Sequence, residues 1–181
     1  MKKSAIVAFV CYLATIPLAN WMIENVGTVQ FPDGPHVLPV GFGLVAPSGV
    51  YLIGFALVAR DVLQMAAGRR YTIIAILAGT LLAYAIAPAV AVASGTAFLL
   101  GELADFAVYT PLAAKRLHVA VLASGVVGAM IDSFVFLTIA FGTITYWQGN
   151  TSGKIWMSLL ALPFLTVARR VVSNNPSSLR D

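Results

Sequence analysis

The sequence predicts an all-α, multi-pass membrane protein of six transmembrane helices, and three observations carry that expectation. Sixty per cent of the residues are apolar and only 10% are charged, against about a quarter charged in an ordinary soluble domain. The apolar residues gather into six long runs, each near the roughly 20 residues of helix that cross a bilayer. Basic residues fall at alternate junctions between those runs, the pattern that sets membrane orientation.

The six runs cover residues 4–22, 48–67, 71–92, 94–114, 117–142 and 154–172 of a single domain, 1–181. Helices are expected because backbone groups find no water in the hydrocarbon layer and must bond within the segment. The first run follows Lys2 and Lys3 in the manner of a secretory signal. It continues to Met22 without a small-residue cleavage site, and further spans follow, so a membrane helix is the expected reading.

Nine of the eleven basic residues form four clusters: Lys2/Lys3, Arg69/Arg70, Lys115/Arg116, and Arg169/Arg170 with Arg180. These follow the second, fourth and sixth spans or precede the first. The segments after the first, third and fifth spans lack Lys and Arg until Lys154, placed at the start of the last helix. Both termini are therefore expected in the cytoplasm. A net charge of +4 could indicate nucleic acid, but no aromatic residues interleave with the basic ones, so no nucleic-acid face is expected.

The longest connection, 24–47, holds Pro32, Pro35, Pro39 and Pro47. Its apolar part, 37–46, is too short to span, which leaves a re-entrant or interfacial segment and an ordinary outer loop both open. Pro17, Pro88 and Pro163 fall inside expected spans and free backbone carbonyls there. The second span opens Ser48-Gly49 with Gly54 beyond, and the fourth opens Ser94-Gly95 with Gly101 beyond. Close helix contacts explain that echo as well as an internal duplication does.

The single cysteine, Cys11, excludes an intrachain disulfide, and His36 and His118 have no partner at ligand spacing. No metal motif, nucleotide-binding loop or nucleophile elbow is present. Neither an enzyme nor a bound cofactor is expected.

Charges inside apolar spans are costly and usually mark function. Here they are Arg60, Asp61, Glu102, Asp105 and Asp132. Ser94, Phe98, Glu102, Asp105 and Tyr109 share one face of the fourth helix, because residues three and four apart are neighbours. Ser124, Gly128, Asp132 and Phe136 step by four along the fifth, where small residues permit close approach. Arg60 and Asp61 are assigned structural or coupling roles, with Arg60 available to neutralise Asp105 or Asp132 or to snorkel. Lys154, on the side poor in basic residues, is a candidate partner for a carboxylate. Asn20 is expected to make an interhelical hydrogen bond near the outer end of the first helix. Trp147 and Trp156 suit an interfacial anchor.

The block Ser94-Gly95-Thr96-Ala97-Phe98-Leu99-Leu100-Gly101-Glu102-Leu103-Ala104-Asp105-Phe106-Ala107-Val108-Tyr109 resembles the signature of the VUT family of queuosine precursor transporters. So does 124–142, with Gly128, Asp132-Ser133, Phe136 and Ala140-Phe141-Gly142. The resemblance covers roughly residues 43–170. It departs after Asp61, where Gln64 stands in place of an acidic residue carried by many members, which leaves the second helix's role open.

The resemblance implies a six-helix fold similar to vitamin-uptake membrane components, in the cytoplasmic (inner) membrane. It implies uptake of 7-cyano-7-deazaguanine or a related deazapurine, with Glu102, Asp105 and Asp132 as functional residues. A carboxylate suits the ring N–H and amine edge of a guanine-like base, and Glu102 is the expected acceptor. Phe98, Tyr109 or Phe136 would stack on the ring, with Ser94 and Asn20 as further contacts. The expected partners are this small molecule and the lipid bilayer, with a homodimer left open. The alternatives are a substrate-binding membrane subunit of an ATP-driven vitamin transporter and a structural membrane protein.

Overall fold

The computed structural model describes residues 3–29, 35–86 and 91–173. Six helices make up the body: α1 (Lys3–Asn25), α2 (Val50–Ala67), α3 (Arg69–Ile86), α4 (Ala91–Ala113), α5 (Leu117–Phe141) and α6 (Trp147–Ser173). Among the described residues, five of them, α1 to α5, contain a stretch long and apolar enough to cross a membrane. The sixth helix has 27 residues and opens on the polar stretch Gln148, Gly149, Asn150, Thr151 and Ser152. It begins two turns before Lys154, the expected start, so Lys154 lies within a helix rather than at its edge. Pro88, expected in the third span, lies outside the described residues.

The chain also contains β-structure that the helical pattern did not announce. Three short strands, β1 (Thr28–Val29), β2 (His36–Gly41) and β3 (Leu44–Pro47), form an antiparallel sheet in the order β1-β2-β3. The 37–46 segment is thus a β-hairpin. Its pairing runs Val37↔Pro47, Leu38↔Ala46 and Pro39↔Val45, then jumps to Gly41↔Leu44. The bulge makes Val40 the extra residue and turns Val37 and Val40 inward together, although they are three apart. Pro39, which has no N–H to give a ladder, sits at the edge of that bulge. The turn is Gly41-Phe42-Gly43, all at positive φ.

Helix boundaries follow local chemistry. Gly68, at φ 82°, separates α2 from α3 and donates its N–H to the Gln64 carbonyl at 2.9 Å. Gly142 closes α5 in the left-handed conformation and donates to the Thr138 carbonyl at 3.1 Å. Both are endings that glycine permits without a Cβ clash.

The outer surface is apolar. Ile73, Leu77 and Leu81 lie four apart and exposed along α3, and Leu100, Leu103, Phe134 and Ile139 are exposed on α4 and α5. Such a surface fits lipid and not water. The polar side chains are inside: Arg60, Asp61, Glu102, Asp105, Asp132 and Lys154 are all buried. The two ends differ in charge. Arg69, Arg70, Lys115 and Arg116 are exposed at one end, near the cluster of Val58, Val62, Met65, Leu112 and Leu117. The sheet packs at the other end, where Val40, Ala46 and Val50 form a small core.

α4 packs more extensively on α5 than any other pair of elements packs together. Glycines allow it. A Cβ placed on Gly101 would lie 2.6 Å from the Asp132 Cβ, and one on Gly128 would lie 2.8 Å from the Asp105 Cβ. Gly54 of α2 makes an equivalent approach to Lys154 of α6, where a Cβ would meet the Lys154 Cα at 2.8 Å. The glycines of the sequence echo thus serve as close-contact points for neighbouring helices.

Candidate functional site

Close helix contacts stack two polar layers in the interior. The first is centred on Arg60. Its Nε donates to Glu102 Oε2 at 3.2 Å, its second terminal nitrogen donates to Asp105, and Asp61 lies 3.0 Å away. The guanidinium also lies over the Tyr109 ring, 5.5 Å from the centroid. It reaches Gln64 at 3.5 Å, and Gln64 donates to Thr110 at 3.0 Å. Arg60 therefore does not snorkel. A planar fork can serve several carboxylates at once, and here it joins α2 to α4.

The second layer lies nearer the sheet. Lys154 of α6 donates to Asp132 of α5 and, at 3.1 Å, to the Ser133 hydroxyl. This pair forms part of the wall of a partly open cavity of about 60 Å³. Ile16, Ala19, Asn20 and Ile23 of α1 line one side, and Gly49, with Val50 and Ile53 of α2, another. Ser94, Ala97, Phe98, Phe136 and Asn150 complete most of the wall, with Pro47 at the end of the sheet. The site is mostly apolar, with a few convergent polar groups, as small-molecule sites usually are.

Six expected residues thus meet at one cavity: Asn20, Ser94, Phe98, Asp132, Phe136 and Lys154. Glu102, Asp105, Tyr109, Arg60 and Asp61 are not on its wall and form the layer below. Glu102, expected to face the ligand, is turned to Arg60 instead. The carboxylate on the cavity wall is Asp132. The reason is geometric: four residues separate Phe98 from Glu102, so Glu102 sits one helical turn deeper. Asn20 bonds within its own helix, donating to the Ile16 carbonyl at 3.1 Å, rather than across to another.

Two participants escaped the sequence reading. Tyr12 is fully buried, and its hydroxyl lies beside the Glu102 carboxylate, outside strict hydrogen-bond geometry. Tyr12, Ile16 and Asn20 step by four along α1, so that face could have been found from Asn20. Asn150 was missed because the polar first turns of α6 fall below the hydropathy of a span.

Comparison with known proteins gives one match. The family described as "Putative vitamin uptake transporter" matches residues 83–168, slightly less than half of the chain. The matched stretch contains α4, α5, Lys154 and the cavity residues Ser94, Phe98, Asp132, Phe136 and Asn150. No curated protein and no solved structure matches the chain. The half of the cavity wall that comes from α3 to α6 therefore lies in a stretch similar to a family of transport proteins.

Proposed function

We propose that this protein takes up a queuosine precursor, 7-cyano-7-deazaguanine or a related deazapurine, across the cytoplasmic membrane. In this reading all six helices span, with both termini and the exposed pairs Arg69/Arg70 and Lys115/Arg116 on the cytoplasmic side. The cavity then opens outward, on the side of the sheet. The observation that carries the reading is the cavity itself: a pocket among apolar helices, with a buried Asp132–Lys154 pair on its wall, inside the stretch similar to transporters.

The wall suits a flat, polar-edged ring. Phe98 and Phe136 offer aromatic faces. Asp132 can accept from the ring N–H and exocyclic amine of a guanine-like edge, a charge-assisted contact stronger than a neutral one. Lys154, Asn20, Asn150 and Ser94 supply donors for the carbonyl side of the base. Asp132 thereby takes the substrate-binding role expected of Glu102, and Glu102 and Asp105, paired with Arg60, lie in the layer below the cavity.

Uptake of labelled 7-cyano-7-deazaguanine by the purified protein in liposomes tests the reading. Saturable uptake without ATP is expected. Uptake that appears only with an added ATP-hydrolysing module would make the protein a binding subunit. No binding and no uptake would remove the deazapurine from consideration.

A further inference from the structure

The charges in the deeper layer do not balance. One guanidinium, Arg60, faces three carboxylates, Asp61, Glu102 and Asp105, and none of the four side chains is more than 2% exposed. Among the described residues the other buried cation, Lys154, is engaged by Asp132. Hydrogen bonding is short as well. Asp105 Oδ2 is buried without a hydrogen-bond partner among the described residues, and Asp61 Oδ1 meets Arg60 as an ion pair outside hydrogen-bond geometry. The hydroxyl of Tyr12, on a fully buried side chain, is aimed at the same cluster from α1.

Unbalanced anions in an apolar interior are strongly disfavoured. A proton on one carboxyl corrects both deficits, removing a negative charge and supplying an O–H donor. A metal ion suits the arrangement poorly, because no three of these acidic groups converge as ligands among the described residues.

We infer that the cluster of Asp61, Glu102 and Asp105 around Arg60 is a proton-binding site, with the proton held between Asp61 and Glu102, and that its loading is linked to occupancy of the cavity. Asp105 makes the closest contact to Arg60 and rides on it as its fixed counter-ion. Asp61 meets Arg60 only as an ion pair, and Glu102 follows Gly101, which packs against Asp132.

The groups that face this site come from five helices. They are Tyr12 of α1, Arg60, Asp61 and Gln64 of α2, Glu102, Asp105 and Tyr109 of α4, Asp132 of α5 and, through Asp132, Lys154 of α6. Among its described side chains, α3 brings no acid or base to it. The site has connections in both directions. Gly101, next to Glu102 in α4, packs against Asp132 of the cavity wall, while Gln64 and Thr110 lead toward the basic end. A ligand that rearranges the Asp132–Lys154 pair changes the field at Glu102, and linkage makes the effect reciprocal.

The coupling half of this inference rests on the transport reading, whereas the proton site does not. Infrared spectroscopy of the intact protein in lipid nanodiscs reads the site without any substrate. A protonated-carboxyl band is expected at neutral pH, fading as the pH is raised. Isotope-labelled aspartate or glutamate should shift it, and Glu102→Gln should diminish it. Absence of that band from the wild-type protein at every pH from acid to alkaline overturns the proton site.

In liposomes, an acidic exterior should accelerate 7-cyano-7-deazaguanine uptake severalfold. Glu102→Gln should keep substrate exchange and lose that response. Wild-type uptake indifferent to the gradient overturns the coupling. A band without any deazapurine uptake leaves the proton site standing and refutes the substrate reading instead.

Discussion

Lys154 of α6 and Asp132 of α5 meet as a buried ion pair on the cavity wall, the ammonium held also by Ser133. Each is the other's counter-charge in an apolar interior, so removing one strands its partner. Asp132→Asn should cost about 3–5 kcal/mol, the range for an orphaned buried charge. Adding Lys154→Met should recover much of that loss. Thermal unfolding of the single and double variants in detergent measures it, and a double variant no more stable than Asp132→Asn would show that the two do not act as a unit.

Arg60 is the counter-ion of the deeper layer, and its shape matters as well as its charge. Arg60→Lys replaces a fork that serves Glu102, Asp105 and Gln64 with a single point charge. We expect lower thermal stability and a smaller folded yield, with Arg60→Met worse than Arg60→Lys. Size-exclusion chromatography of both variants checks the order.

The contact between α4 and α5 depends on two glycines. Gly101→Ala would bring a methyl to 2.6 Å from the Asp132 Cβ, and Gly128→Ala one to 2.8 Å from the Asp105 Cβ. Each should destabilise by about 1–3 kcal/mol, as overpacking does. Gly101→Ala should also slow uptake, because it displaces a cavity-wall residue. Gly43, whose added Cβ meets nothing within 4 Å, sits at positive φ, so Gly43→Asn is the milder change for comparison. Unfolding midpoints rank the three.

Phe136 lines the cavity, whereas Phe134 on the same helix is exposed to the lipid side. Stacking of a base on an aromatic ring contributes about 1–3 kcal/mol. Phe136→Ala should therefore raise the KM for deazapurine uptake roughly tenfold, and Phe134→Ala should leave it near the wild-type value. Equal effects of the two substitutions would place the base elsewhere.

Much of this architecture is legible in the sequence because the bilayer makes the code simple. Long apolar runs can be little but helices, and interior charges such as Asp132 must find partners such as Lys154. Depth along a helix is harder to read. Phe98 and Glu102 share a face, but only the packed bundle shows that one touches the cavity and the other Arg60. The hairpin at 36–47 was obscured by its prolines and its bulge, which break the alternation that marks a strand. Tyr12 gave no charge to notice, and the polar start of α6 concealed Asn150 in what read as a loop.

Uptake of a queuosine precursor through the Asp132 cavity, as proposed, can be measured in cells. The direct measurement uses cells that cannot make the precursor, supplied with it from outside, with queuosine in tRNA as the readout. Modified tRNA is expected only when this protein is produced, with a loss for Phe136→Ala when the precursor is scarce. Equal modification with and without the protein, at the same external precursor concentration, would contradict it.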